Sequence, residues 1–71
     1  MRDVDIGARL KAFREAQDLS QRQLAQVAGV TGSMISMIEQ NRTSPSVATL
    51  KKILSGLKIS LGAFFEETRA D

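Results

Sequence analysis

Cysteine, histidine, tryptophan and tyrosine are absent from this chain, and only one proline stands among its 71 residues. Without cysteine there is no disulfide framework, no thiolate metal site and no thiol nucleophile. Without histidine the commonest metal ligand and the commonest general base are gone as well. Neither a metal nor a cofactor is expected, and the composition argues against an enzyme. No run of about 18 apolar residues is present, so no membrane span is expected. The N-terminus, MRDVDIGARL, carries acids where a signal peptide needs a basic start and an apolar stretch. The chain reads as cytoplasmic.

What is present suits one small folded domain. The hydrophobic fraction of 42% is ordinary for a globular protein. The net charge is only +2, but it is unevenly spread. Between Ile6 and Ser60 eight basic side chains face three acidic ones, a balance of +5, while both ends are acidic. A basic body with acidic ends suits a polyanion approached by one face.

The apolar spacing predicts five helices and no strand. Ile6, Leu10 and Phe13 mark one face of a helix from Val4 or Asp5 to Gln17, with Asp5 as its cap. A second helix starts at Ser20, where Gln23 completes a capping box and Leu19 with Leu24 can form the staple. It buries Leu24, Ala25 and Ala28, with Val27 flanking, and ends at Gly29. Thr31 caps a third helix with Ile35 and Ile38 inside, closed by Gln40 and Asn41. Ser44 or Ser46 caps a fourth, with Val47, Leu50, Ile53, Leu54 and Leu57 inside; Gly56 is expected to weaken its last turn. A short fifth helix runs from Leu61 to about Glu67 around Phe64 and Phe65. The folded domain is therefore expected over 6–66, with flexible ends at 1–5 and 67–71 that suit a piece cut from a longer regulator.

The stretch 20–41 is the informative one. Two short amphipathic helices on either side of Gly29, each opened by a hydroxyl residue, read as helix, tight turn, helix. Ser20-Gln21, Leu24-Ala25, Gly29-Val30, Ile35-Ser36, Ile38-Glu39, Arg42, Pro45-Ser46, Thr49-Leu50, Ile53 and Phe64 together resemble the phage-repressor and Cro type of helix-turn-helix domain, the XRE family. The resemblance runs from Ile6 to Phe65 and rests on the ordered set, since no single element of it is distinctive. It implies an all-α, five-helix bundle of the lambda-repressor-like type and a sequence-specific DNA-binding transcriptional regulator.

Carried over residue by residue, the resemblance puts base contacts on Gly32, Ser33, Ser36 and Met37. None of these has the Asn, Gln or Arg end group that grips adenine or guanine with two hydrogen bonds. Serine bonds either base type weakly, and Met37 or Met34 can touch a thymine methyl, although methionines at this spacing also serve as the rim of a core. Phosphate contacts fall on Ser20, Gln21, Arg22, Thr31, Asn41, Arg42 and Thr43. Gln21 opens a helix N-terminus, which is a ready anion site, while Arg22 is equally at home as a solvated surface residue. Asn41 departs from the family, which usually has glycine there. Arg14 and Glu39 are expected to form a partly buried ion pair that orients the third helix.

The expected partner is double-stranded DNA, bound as a homodimer on a palindromic operator, with repression as the leading outcome. Phe65 on helix five is the candidate dimer contact, because it and Phe64 cannot both face one core; a joint with further chain is the other use for it. A C-terminal sensor domain such as a cupin would follow in a longer chain. The alternative is an antitoxin-like protein-interaction module on the same fold, which calls for a longer or more apolar tail than Thr68 to Asp71.

Overall fold

The computed structural model describes residues 5–66, so of the ends expected to be loose, 1–5 and 67–71, all but Asp5 lie outside the described residues, and Asp5 is held as the cap of the first helix. Five helices follow one another: α1 (Ile6–Ala16), α2 (Gln21–Ala28), α3 (Gly32–Glu39), α4 (Val47–Leu57) and α5 (Leu61–Phe65). Each opens on a side-chain cap. Asp5, Ser20, Thr31, Ser46 and Ser60 accept the backbone N–H groups of Ala8, Gln23, Met34, Thr49 and Ala63. Ser46, not Ser44, is thus the cap of α4, and the capping box of Ser20 and Gln23 is formed in both directions.

Four of the helices end alike. Asp18, Gly29, Asn41 and Lys58 all have positive φ, between 59° and 74°. Beyond each, the next N–H reaches back to a carbonyl in the last turn: Leu19 to Arg14, Val30 to Ala25, Arg42 to Met37 and Ile59 to Leu54. This is the Schellman arrangement, in which a left-handed residue turns the chain and satisfies the orphan carbonyls. The residue after the turn normally tucks an apolar side chain against the helix. Leu19, Val30 and Ile59 do so, packed against the core. At the end of α3 the same place is held by Arg42, which is exposed.

The core is built by α2 packing on both α3 and α4, with α1 across α3 and α5 against α4. Leu10, Leu24, Ile35, Ile38, Ile53, Leu54, Leu57 and Phe64 are sealed from solvent. Phe13 and Phe64 stack with ring centroids 5.7 Å apart, and Phe65 meets Phe64 edge-on at 5.1 Å. Phe65 therefore lies half-buried against the core instead of standing free.

Three local expectations change. Val47 is 66% exposed, although its spacing puts it on the side of α4 that holds Leu50. Periodicity marks a side of a helix, not how far along it the neighbouring helices extend. Gly56 does not loosen α4, which continues through Leu57. It lets the backbones of α2 and α4 approach: a Cβ there would lie 3.1 Å from Val27 Cγ2 and 3.2 Å from Ala28 N. Finally, α5 stops at Phe65, short of Glu67. Arg9 of α1 reaches the freed carbonyls, with Nη1 donating to Phe64 O at 2.9 Å and Glu66 O at 2.8 Å. No helix among the described residues is long and apolar enough to cross a membrane.

Candidate nucleic-acid interface

The orientation of α3 is set by one carboxylate. Glu39 Oε2 accepts from Arg14 Nε at 2.7 Å, and Oε1 accepts from Arg14 Nη2 at 3.1 Å and from Gln21 Nε2 at 3.0 Å. The third Arg14 nitrogen, Nη1, donates to Leu19 O at 2.6 Å. The Arg14 and Glu39 side chains keep only 10% and 3% of their exposure. The hydrogen bond that Arg14 donates to Glu39 raises its already high pKa, with burial pulling the other way. A two-toothed guanidinium–carboxylate contact fixes direction as well as distance. Because α1, α2 and the last turn of α3 meet on it, α3 cannot roll about its axis without breaking several bonds at once. The ion pair read from the sequence is present, and Gln21 is an addition to it.

With Ile35 and Ile38 facing inward, the other side of α3 faces out. Ser33 and Met37 are exposed, and Gly32 and Ser36 are half-buried. Met37 at 43% and Met34 at 36% are the large apolar side chains of this face. A Cβ on Gly32 would lie 4.0 Å from Arg22 Cα, so the start of α3 sits beside the first turn of α2. The Ser20 and Thr31 hydroxyls cap the third N–H of each helix. The amides of Gln21, Arg22, Gly32 and Ser33 precede the first intrahelical bond of their helices. Two helix N-termini with open donors thus lie side by side, next to the exposed cation of Arg22. Such an arrangement attracts an anion.

The other candidates differ in how free they are. Gln21 has one amide hydrogen in use on Glu39, which leaves its second hydrogen and its backbone N–H for a phosphate. Asn41 is largely occupied: Oδ1 accepts from Gly7 N at 3.2 Å, and Nδ2 donates to Asp5 Oδ1 at 2.9 Å. Its role is to tie the start of α1 to the end of α3, and its left-handed backbone lets it do so. Arg42 and Thr43 are exposed in the loop that follows.

Sequence reasoning missed several residues. Gly7 is one, where a Cβ would fall 2.5 Å from Ile38 O, so only glycine lets α1 cross α3 here. Gln17 is another, donating from Nε2 to Leu57 O at 2.7 Å and so joining the ends of α1 and α4. Gln40, whose Nε2 donates to Ser36 Oγ at 2.9 Å, brings a long polar side chain to the outward face of α3. The last was legible, since residues four apart on a helix are neighbours. Among the described residues no three acidic side chains gather as a metal site requires.

Comparison with known proteins gives a consistent picture. A family model described as helix-turn-helix matches residues 10–64. The transcriptional regulator PuuR of Escherichia coli is 48% identical over 61 residues, which cover 86% of this chain and 33% of PuuR. The immunity repressor of Bacillus phage phi105 is 37% identical over 90% of this chain and 44% of its own. SinR of Bacillus subtilis is 38% identical over 87% and 57%. A crystal structure of a helix-turn-helix family transcriptional regulator from Vibrio cholerae superposes with a TM-score of 0.83 at 44% identity, covering 86% of this chain and 34% of that one. The chain spans about a third of the length of PuuR and of the Vibrio regulator.

Proposed function

Because this chain belongs to the helix-turn-helix family matched over residues 10–64, we propose that it is the DNA-binding part of a transcriptional regulator and meets double-stranded DNA through α3. The observation that carries the reading is the Glu39 hub, which directs Gly32, Ser33, Ser36 and Met37 outward beside the open N-termini of α2 and α3. Backbone phosphates bind at the amides of Gln21, Arg22, Gly32 and Ser33 and at Arg42 and Thr43, with the Ser20 and Thr31 hydroxyls at the rim. These contacts position the domain without reading sequence. Asn41 contributes by holding the Arg42 loop against α1, a more economical role than direct phosphate contact.

One such helix covers only a few base pairs, so selectivity calls for two half-sites about one helical turn apart, roughly 34 Å. A homodimer on a palindromic operator answers this, with repression by occlusion as the simplest consequence. Phe65 and the rest of α5 are our candidate for the dimer contact, and a sensor domain completes the longer protein. The phage phi105 relative, named as an immunity repressor, supports the repression part of this reading alone.

Titration against random-sequence duplex at 50 and 200 mM salt tests it. With about four phosphates neutralised, affinity should fall by about a hundredfold between the two. No binding at the lower salt would sink the proposal.

A further inference from the structure

Within α3, Gly32–Glu39, no outward side chain by itself grips a base with two hydrogen bonds, yet one of its hydroxyls is held by Gln40, the residue that caps the helix. Gln40 ends α3, with its backbone N–H bonded to Ser36 O at 3.1 Å. Its side chain folds back along the helix, and Nε2 donates to Ser36 Oγ at 2.9 Å. Gln40 is thus pinned to one turn of helix at both ends.

A serine hydroxyl has one hydrogen to donate and two lone pairs to accept with. In a helix that hydrogen usually goes to the carbonyl four residues back. Among the described residues, the bond accepted from Gln40 is the only one Ser36 Oγ makes. The amide occupies one lone pair, so the hydroxyl hydrogen and the second lone pair are left for partners away from Gln40. Met37, on the next position of the same outward face, is 43% exposed.

We propose that Gln40 is a specificity-determining positioning residue: it holds Ser36 as an outward hydrogen-bond donor, so that α3 selects a base whose major-groove edge presents an acceptor at that step. Such acceptors are purine N7, guanine O6 and thymine O4, whereas the cytosine and adenine amines are donors. A free serine pairs with either kind of edge; this one, with one lone pair taken by Gln40 and its O–H polarised by that bond, favours donation to an acceptor edge. The inference rests on the reading of α3 as the DNA-facing helix.

The test is a double-mutant cycle of Ser36→Ala and Gln40→Ala, read on an operator selected from random DNA by the wild-type chain and, in parallel, on random duplex. Each single substitution should weaken operator binding about three- to tenfold, and the double should lose no more than Ser36→Ala alone. Random-duplex affinity should stay within about twofold. A second arm keeps the protein unchanged and removes single acceptors from the DNA, using 7-deazapurines or 5-methyl-2-pyrimidinone in place of thymine. One position in each half-site should show the same loss, and Ser36→Ala should show no further loss there. Gln40→Glu, which accepts where Gln40 donates, should lose the preference as Gln40→Ala does.

Equal weakening on operator and random duplex, with a salt slope shallower by about one, would make Gln40 a phosphate contact and overturn the proposal. Additive losses in the cycle, or none, would also overturn it. If the variants do not fold, the substituted-DNA arm still decides: no acceptor whose removal matters means no donor role. Failure of the wild-type chain to bind any duplex would instead bring down the reading of α3 itself.

Discussion

Arg14 and Glu39 meet fork to fork, with Nε 2.7 Å from Oε2 and Nη2 3.1 Å from Oε1, and both side chains almost closed off from water. Gln21 joins them from α2, so three helices converge on two charges. The net stability of such a pair is small, because removing two ions from water offsets most of their attraction. Its value lies in direction, since the bond fixes which side of α3 faces outward. Removing one partner is a different matter. Arg14→Met, which leaves Glu39 buried and unpaired, should cost about 3 kcal/mol in urea denaturation. The double replacement Arg14→Met with Glu39→Met should cost clearly less than the sum of the singles. Additive losses would mean that the two residues stabilise the domain independently.

The glycines divide by what surrounds them. At Gly7 an added Cβ would press on backbone, 2.5 Å from Ile38 O and 2.8 Å from Glu39 O, where nothing flexible can yield. At Gly62 it would meet only Ser60 Oγ, at an ordinary 3.9 Å. Both lie in helices, where alanine is intrinsically better by about 1 kcal/mol. Gly7→Ala should therefore destabilise by about 2 kcal/mol as overpacking wins, and Gly62→Ala should stabilise by about 0.5 kcal/mol. Thermal melting of the two variants beside wild type checks both signs.

Lys58 closes α4 with φ at 60°, a conformation that glycine adopts freely and lysine adopts at a cost. Its N–H and that of Ile59 already satisfy the last carbonyls. Lys58→Gly should keep those bonds and raise stability by about 0.5–1 kcal/mol in denaturant titration. A loss would mean that the lysine side chain contributes a contact of its own.

Much of this fold could be read from residue order. Every helix start is announced by a hydroxyl or carboxylate, and Ser20 with Gln23 shows how short-range such signals are. Helix ends were harder. Gly29 and Asn41 are residue types that favour a left-handed turn, whereas Asp18 and Lys58 are driven into it by the apolar Leu19 and Ile59 that follow. Close crossings were not legible at all. Gly7 and Gly56 look like weak helix positions until the facing backbone is known, because the contact joins residues far apart in the chain. In the candidate site the ion pair and the outward face of α3 followed from the resemblance and the position of Ile35 and Ile38. The capture of Asn41 by Asp5 and Gly7 did not, since it depends on where α1 begins.

That capture makes the domain sensitive to acid in a defined direction. Asp5 caps α1, and its pKa is lowered below 3.8, first by the Ala8 N–H and then by the Asn41 amide. A carboxylate favoured by folding stabilises fully above its ordinary pKa and loses that contribution as pH falls through the lower folded value. The stability gap between wild type and Asp5→Ala should thus be constant above about pH 5 and shrink below pH 3.8. A gap unchanged down to strong acid would show that the charge on Asp5 contributes nothing.

The claim that α3 and the start of α2 meet DNA is most directly tested by following backbone amide resonances while duplex DNA is added to the isotopically labelled chain. The largest shifts are expected at Gln21, Arg22, Gly32, Ser33, Ser36, Met37 and Arg42. Shifts centred instead on Lys51, Lys52 and Lys58, the exposed cations of α4 and its cap, would contradict it.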